Sequence, residues 1–288
     1  MQAWEPWNPA AGFFHYSTRD IKFVDADVYE RALKEKRTVT PPPPRIKKMR
    51  TAKRITLPKP KGLDPFTSVL LRRRTWRHFS RASVSLADVG ALLHLTSGVQ
   101  RWAPTAAGPA PLKTSPSGGA THPGELYAVV LNVEGLSRGL YHYRADTNAL
   151  ELVKRGATPA DVERYLPTQW WYRRAALVVF FAAVVDRSLW RYTYARAYRA
   201  LLIEAGHQCQ TFCLTATALD LAPFCCMALA DSVIEKDFGL DGISETVLYA
   251  AGVGAKPRGV DWAPSPPDEA WPGGPPKWRV RSRRRASR

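Results

Sequence analysis

A chain of 288 residues with 45% hydrophobic and 11% aromatic content can bury one sizeable α/β or α+β core, which excludes a disordered polypeptide. Its formal net charge of +17 sits on the flanks: residues 31–61 hold twelve Lys or Arg against Glu35 alone, and 277–288 hold seven with no acid. The remainder carries 23 basic and 24 acidic residues, so its charge does not mark the body as a nucleic-acid binder, and the basic arm reads as a solvated segment.

In chain order, residues 1–30 are rich in aromatics (Trp4, Trp7, Phe13, Phe14, Tyr16) and read as an irregular extension docked on the body. Residues 38–62 join Pro41 to Pro44 with a Lys/Arg run, the pattern of an extended linker, so 1–62 form an aromatic and basic N-terminal extension. From Pro65 the pattern turns periodic. PFTSVLLRRRTWRHF predicts a helix with Phe66, Val69 and Leu70 on its apolar face, closing in a cluster of arginines. Ser85 is placed to cap a second helix, with Leu86, Val89, Leu92 and Leu93 on one face and Gly98 as its stop.

A Gly/Pro-rich loop, 103–124, precedes three β-like runs at 125–133, 139–144 and 149–153, whose turns predict an antiparallel meander. The apolar run 175–185 suits a central buried strand, 196–221 a long helix, and 246–255 a last strand. This order predicts one α+β domain over 63–260, with a mainly antiparallel sheet flanked by helices, then a Pro/Gly-rich exit and basic tail over 261–288. No apolar run approaches the ~20 residues that span a bilayer. The start shows no signal-peptide pattern. The four cysteines crowd into 209–226, a poor disulfide framework that suggests a reducing compartment, so a cytoplasmic protein without membrane contact is expected.

Three segments could carry chemistry. Arg72, Arg73, Arg74, Thr75 and Arg77 put guanidinium forks beside a hydroxyl, the makings of a phosphate seat, although a solvated helix end would look the same. In TSPSGGATHPGELY, Pro116, Ser117, Gly118 and Gly119 would let backbone approach a flat ligand closely, or simply form a turn. In YTYARAYRALLIEAGHQCQTFC, Tyr194 and Tyr198 are spaced to share one side of a helix start, and His207 and Gln210 are further polar candidates. Cys209 and Cys213 share a helix face with no second ligand pair in zinc spacing, so no metal is expected and both read as small core hydrophobes. No GxSxG elbow supports a hydrolase.

Taken in order, RRRTWRHF, PSGGATHPGELY, GLYHY, RAYRALLIEAGHQCQTFCLTATALDL and LDGISETVLYAAGVG resemble the SagB-type (thiazole/oxazole-forming) dehydrogenases of the nitroreductase superfamily, as does the early FHYST. The resemblance implies the nitroreductase-like fold and a homodimer holding FMN between its subunits. By the same resemblance Arg73, Arg74, Thr75 and Arg77 match the flavin motif, and Pro116, Ser117, Gly118 and Gly119 the stretch beside the isoalloxazine. Gln210 and Thr211 match a Gln-Asn pair, Gly252 and Gly254 the closing strand, and Lys256 and Arg258 could reach phosphate. At one place the chain departs: where many azoline-oxidising relatives carry Lys-Tyr, it has Tyr192 and Thr193. A phenol is a weak base near neutrality unless a neighbouring cation such as Arg191 or Arg196 draws off its proton, so Tyr192, Tyr194 and Tyr198 are the catalytic candidates.

Three readings follow. One is a SagB-like FMN dehydrogenase acting on an azoline-type ring in a peptide or peptide-like natural product, with a biosynthetic partner enzyme nearby. The second is an NAD(P)H-dependent nitro or quinone reductase. The third is a non-catalytic flavin-fold scaffold within a biosynthetic complex.

Overall fold

The computed structural model describes residues 8–40, 42–47, 55–57, 64–106 and 108–259, so Trp4, Trp7 and the basic tail lie outside the described residues. The extension is helical where irregular chain was expected. Helix α1, Pro9–Thr18, starts at Asn8, whose side chain accepts from the Ala10 amide, and helix α2 spans Ala26–Val39. Asn at the cap and Pro in the first turn are a strong start signal, and it outweighs the aromatic crowding. α1 docks through His15, which bridges the Tyr198 hydroxyl at 2.8 Å and the Gly242 carbonyl at 3.0 Å. A carbonyl only accepts, so Nε2 carries a proton; burial lowers the His15 pKa, leaving Nδ1 to accept from Tyr198. Arg19 adds an ion pair with buried Glu235.

Helix α3, Pro65–Arg72, is capped by Asp64 and ends before the other arginines, shorter than its sequence pattern suggested. Its apolar face is not buried: Phe66, Leu70 and Leu71 are all exposed. Beyond it the chain runs along the sheet end, where the Trp76 amide donates to the Pro223 carbonyl and the Ser80 amide to that of Ala255. Helix α4, Leu86–Ser97, has the expected Ser85 cap and Gly98 stop. Within the expected loop, strands β1 (Arg101–Ala103) and β2 (Ala110–Leu112) pair as a small antiparallel hairpin.

The main sheet contains β3 (Gly124–Val130), β4 (Gly139–Arg144), β5 (Ala149–Arg155), β6 (Leu177–Val184), β7 (Leu221–Cys226) and β8 (Glu245–Ala255), in the order β5-β4-β3-β6-β8-β7. Every neighbouring pair is antiparallel. β6, the apolar run of the sequence, lies between β3 and β8 and is buried on both faces, as a central strand must be. Its alternation divides the core: Val178, Phe180 and Ala182 enter one cluster, Leu177, Val179 and Phe181 the other. Helices α5 (Pro159–Tyr165) and α8 (Asp231–Phe238) contribute to the first cluster. Helix α4 and the long helix α7, Ala197–Ala218, contribute to the second. A short helix, α6 (Val185–Leu189), leaves the end of β6.

Candidate functional site

α7 organises the site. Its apolar stripe contains Leu201, Ala205, Cys209, Phe212, Cys213 and Ala216, but Glu204 and Gln208 lie on the same buried side. The loop before β3 crosses this helix and is fixed to it twice. The Gly118 amide donates to Glu204 Oε1 at 2.8 Å, and the Ser115 and Thr211 hydroxyls meet at 2.8 Å. Burial raises the Glu204 carboxyl pKa, against the pull of the Gly118 amide and the Ser117 hydroxyl.

Gly119 has φ +62, which glycine adopts without penalty. A Cβ there would lie 2.5 Å from Arg191 Nε and 2.8 Å from the Tyr192 hydroxyl. The glycine turn is therefore held between Glu204 on one side and Arg191 with Tyr192 on the other. Arg191 also sits 5.8 Å from the Tyr192 ring centre, so it is the cation beside that phenol. Next to the turn opens a cleft of about 450 Å³, lined by Thr105, Thr121, Asp186, Arg187, Trp190 and Arg191 among others. The Lys113 ammonium, 3.3 Å from the Ser97 hydroxyl, has its pKa lowered by burial. Burial, with Lys113 and Arg187 adding their repulsion, pushes His122 down to about 4, so the ring is neutral near pH 7.

The catalytic candidates separate. Tyr192 is at the turn, and Tyr194 follows it with ring centres 5.9 Å apart. Tyr198 is committed elsewhere, buried with its hydroxyl on His15. The expectation that Tyr194 and Tyr198 share a helix side fails because α7 begins only at Ala197, leaving Tyr194 before the first turn.

The arginine stretch also divides. Arg74 donates to the carbonyls of Leu71 and Arg73 at 2.7 and 2.8 Å, closing the end of α3. Arg73 and Arg77 have no ion pair among the described residues; Arg77 lies 5.7 Å from the Trp171 ring centre, and half-buried Thr75 separates the two. Arg73 also reaches α7, where its charge acts on Cys213. Glu204 and Cys213 are nine residues apart, about 14 Å along the helix. The glycine turn and Arg73 thus occupy two stations on one rod.

Gly252 and Gly254, matched to the closing strand, and Lys256 and Arg258 just after it have surroundings of their own. Gly252 and Gly254 are packing glycines, where a Cβ would lie 2.5 Å from the Phe224 ring and 2.7 Å from the Phe79 ring respectively. Lys256 is paired with Asp220 at 2.7 Å, and Arg258 is exposed. Gln210 is exposed on α7, while Thr211 is tied to Ser115 and to the His207 carbonyl.

Sequence reasoning missed Glu204, Gln208, Lys113 and Arg187. Two of these had a signal: Glu204 and Gln208 are polar residues at positions where the helical period calls for apolar ones. Gln208 Oε1 is buried with no hydrogen-bond partner among the described residues, an orphan beside Gly124. The fold also brings Cys225 to Cys209 and Cys213, with all three sulfurs within 4.8 Å of one another, a proximity that sequence spacing did not show.

The model of the Nitroreductase family matches residues 70–255. The Methanocaldococcus jannaschii protein named "Putative nitroreductase MJ1384" is 28% identical over 190 residues, 65% of this chain and 89% of that protein. Trifolitoxin-processing protein TfxB of Rhizobium leguminosarum bv. trifolii is 29% identical over 147 residues, 48% of this chain, which spans only 38% of TfxB's length. Among solved structures, a chain of the E. coli Microcin synthetase McbBCD complex with truncated pro-MccB17 bound superposes with a TM-score of 0.62 at 19% identity, covering 89% of this chain and 97% of that one. At that identity the likeness is one of fold. No helix among the described residues is long and apolar enough to cross a membrane.

Proposed function

The chain belongs to the nitroreductase family, and from that premise we propose that it is an FMN-dependent oxidoreductase of the SagB type, oxidising an azoline-type ring in a peptide or peptide-like substrate as a homodimer. The observation that carries this reading is the turn at Gly118 and Gly119, locked between buried Glu204 and the pair Arg191 and Tyr192 at the edge of an open cleft.

The residues present fit an FMN. Gly118 puts no side chain between its backbone and a flat ring, and a Cβ there would make only ordinary contacts, the nearest at 3.6 Å. Arg73, Thr75 and Arg77 offer a phosphate two guanidinium groups not spent on acids. Gly118, Gly119, Ser117 and Pro116 would then hold the ring end, and the arginines the phosphate end, about two and a half turns along α7. When bound, the flavin supplies the hydride acceptor. Tyr192 supplies a hydroxyl at the turn, with the Arg191 guanidinium 5.8 Å from its ring centre. Trp190 and Arg191 line the cleft through which a peptide would reach this hydroxyl. The exposed apolar faces of α3 (Phe66, Leu70, Leu71) and α7 (Leu202, Ile203) support a second copy closing over the site. TfxB, named for processing trifolitoxin, supports a role in processing a natural product.

A second reading, an NAD(P)H-dependent nitro or quinone reductase, draws on the match to 89% of the protein named as a nitroreductase. Anaerobic stopped-flow reduction decides between them. The yellow protein should be bleached by an azoline-bearing peptide and hardly by NAD(P)H, and Tyr192→Phe should keep its flavin while slowing bleaching at least about tenfold, the low end of what a positioned acid or base contributes. Rapid bleaching by NAD(P)H, with no response to the peptide, would overturn the dehydrogenase in favour of the reductase.

A further inference from the structure

We propose that Cys209, Cys213 and Cys225 form a three-sulfur site for one thiophilic divalent cation, of the zinc or cadmium class, at the junction of α7 and β7. Helical spacing of four places Cys209 and Cys213 one above the other on the buried face of α7. β7 supplies the third sulfur, and strand geometry selects which one. Neighbouring residues on a strand point to opposite faces, so Cys225 packs toward the α7 side while Cys226 enters the other core cluster. There the Cys226 sulfur accepts from the Ala228 amide at 3.3 Å.

The three sulfurs lie within 4.8 Å of one another. A cation about 2.3 Å from each would set them roughly 4 Å apart, so little or no closure is required. Soft thiolates choose soft cations over magnesium or calcium. Charge balance then selects the valence. Three thiolates with a divalent ion carry one net negative charge, and Arg73, whose guanidinium acts on both Cys213 and Cys225, compensates it. A monovalent ion would leave a further negative charge buried without a partner, which is costly. The Tyr249 hydroxyl, which lies near Cys225, or a water in its place can complete a tetrahedron. Cys209 and Cys213 are buried, but Cys225 is half-buried and gives the ion a way in. Each thiol that binds releases its proton to solvent, up to three per cation, and no electrons move. The site requires no flavin, so it stands or falls apart from the proposed reaction. Its effect would be to pin α7 to β7 behind Arg73.

The test uses the full-length protein, reduced with a phosphine, stripped by a chelator and titrated anaerobically with cadmium. One cation per chain should bind, raising an ultraviolet thiolate-to-metal charge-transfer band whose intensity per cation corresponds to three sulfurs, and the melting temperature should rise with it. Zinc in excess should remove the band. Cys225→Ala should abolish it, and Cys226→Ala should leave it whole. If Cys225→Ala fails to fold, the band intensity of the unaltered protein still counts the sulfurs. Absence of a band at one equivalent, an intensity of two sulfurs or fewer, or a band that survives Cys225→Ala would each overturn the site and return these thiols to core packing.

Discussion

Gly118 and Gly119 lie on one side of the molecule and Gly252 and Gly254 on another, and the same side chain of one hydrogen serves opposite ends. At Gly118 a Cβ would fit in ordinary contact, with Glu204 Oε1 at 3.6 Å and the Tyr192 ring at 3.9 Å from where it would be. At Gly252 the space is already filled: a Cβ would lie 2.5 Å from the Phe224 ring and 2.6 Å from the Leu177 carbonyl oxygen. The second pair therefore lets aromatic rings lie directly on β8, and this is how the segment carrying Phe79 and the strand carrying Phe224 close over the sheet end. In the first pair the two glycines differ: Gly118 would accept a methyl, while Gly119 is closed in by Arg191 and Tyr192. A motif that matches a ligand-binding family does not say which of these two jobs its glycines do; the neighbouring atoms do.

The largest effect should come from the filled pair. Gly252→Ala forces a methyl into a ring and a backbone carbonyl, and overpacking of this kind costs about 1–3 kcal/mol. For a domain of this size that lowers the melting temperature by several degrees. Any flavin loss should follow from the lower stability rather than precede it. A variant that melts with the parent would show that β8 and β7 can part at no cost, and the contrast between the two pairs would collapse.

Gly118→Ala should do the reverse. The methyl fits, so the melting temperature should stay within about 1 kcal/mol of the parent in equivalent stability, with a slight gain from restricting the unfolded chain. Flavin retention, read from absorbance after gel filtration, should fall, because the methyl occupies the surface the ring would lie against. Full retention would break the assignment of this turn to the cofactor while leaving the fold untouched.

The fold was legible wherever one periodicity dominated. The run 175–185 is apolar without interruption, and only a strand covered on both faces asks for that; it is β6. Ser85 and Gly98 punctuate α4 where a cap and a stop are needed. β7 was missed because LAPFCC is six residues long and contains Pro223, tolerable only because the strand is at the sheet edge, a fact of topology rather than of local sequence. α8 was missed for a similar reason, its eight residues being too few to establish a period. In the candidate site, the sequence drew attention to the turn and to Tyr192, which the fold brings together, but not to the partners that occupy Arg74, Lys256 and Tyr198. Arg74 folds back on the carbonyl of Leu71, three residues earlier, because α3 ends there, while Asp220 and His15 are brought by the tertiary fold, His15 from 183 positions away.

The smallest effect is also the most specific, and it concerns the carboxyl that accepts from the Gly118 amide. Burial raises the Glu204 pKa above its ordinary 4.5, and the Gly118 amide, the Ser117 hydroxyl, His207 and Lys113 oppose that shift without reversing it. An acid that holds its proton more tightly when folded stabilises the fold fully below its unfolded pKa. It gives up that contribution as pH rises from 4.5 through the higher folded value. Glu204→Gln cannot titrate, yet it keeps an oxygen that can accept from the Gly118 amide. In denaturant melts across this range, the variant should match the parent in acid and gain on it as pH rises through the window, levelling off above it. Other titrating groups contribute equally to both proteins and cancel in the difference. A difference that stays flat from acid to neutral pH would mean that the carboxyl is ionised at little cost where it lies, and that the turn is held by a carboxylate as well solvated as one on the surface.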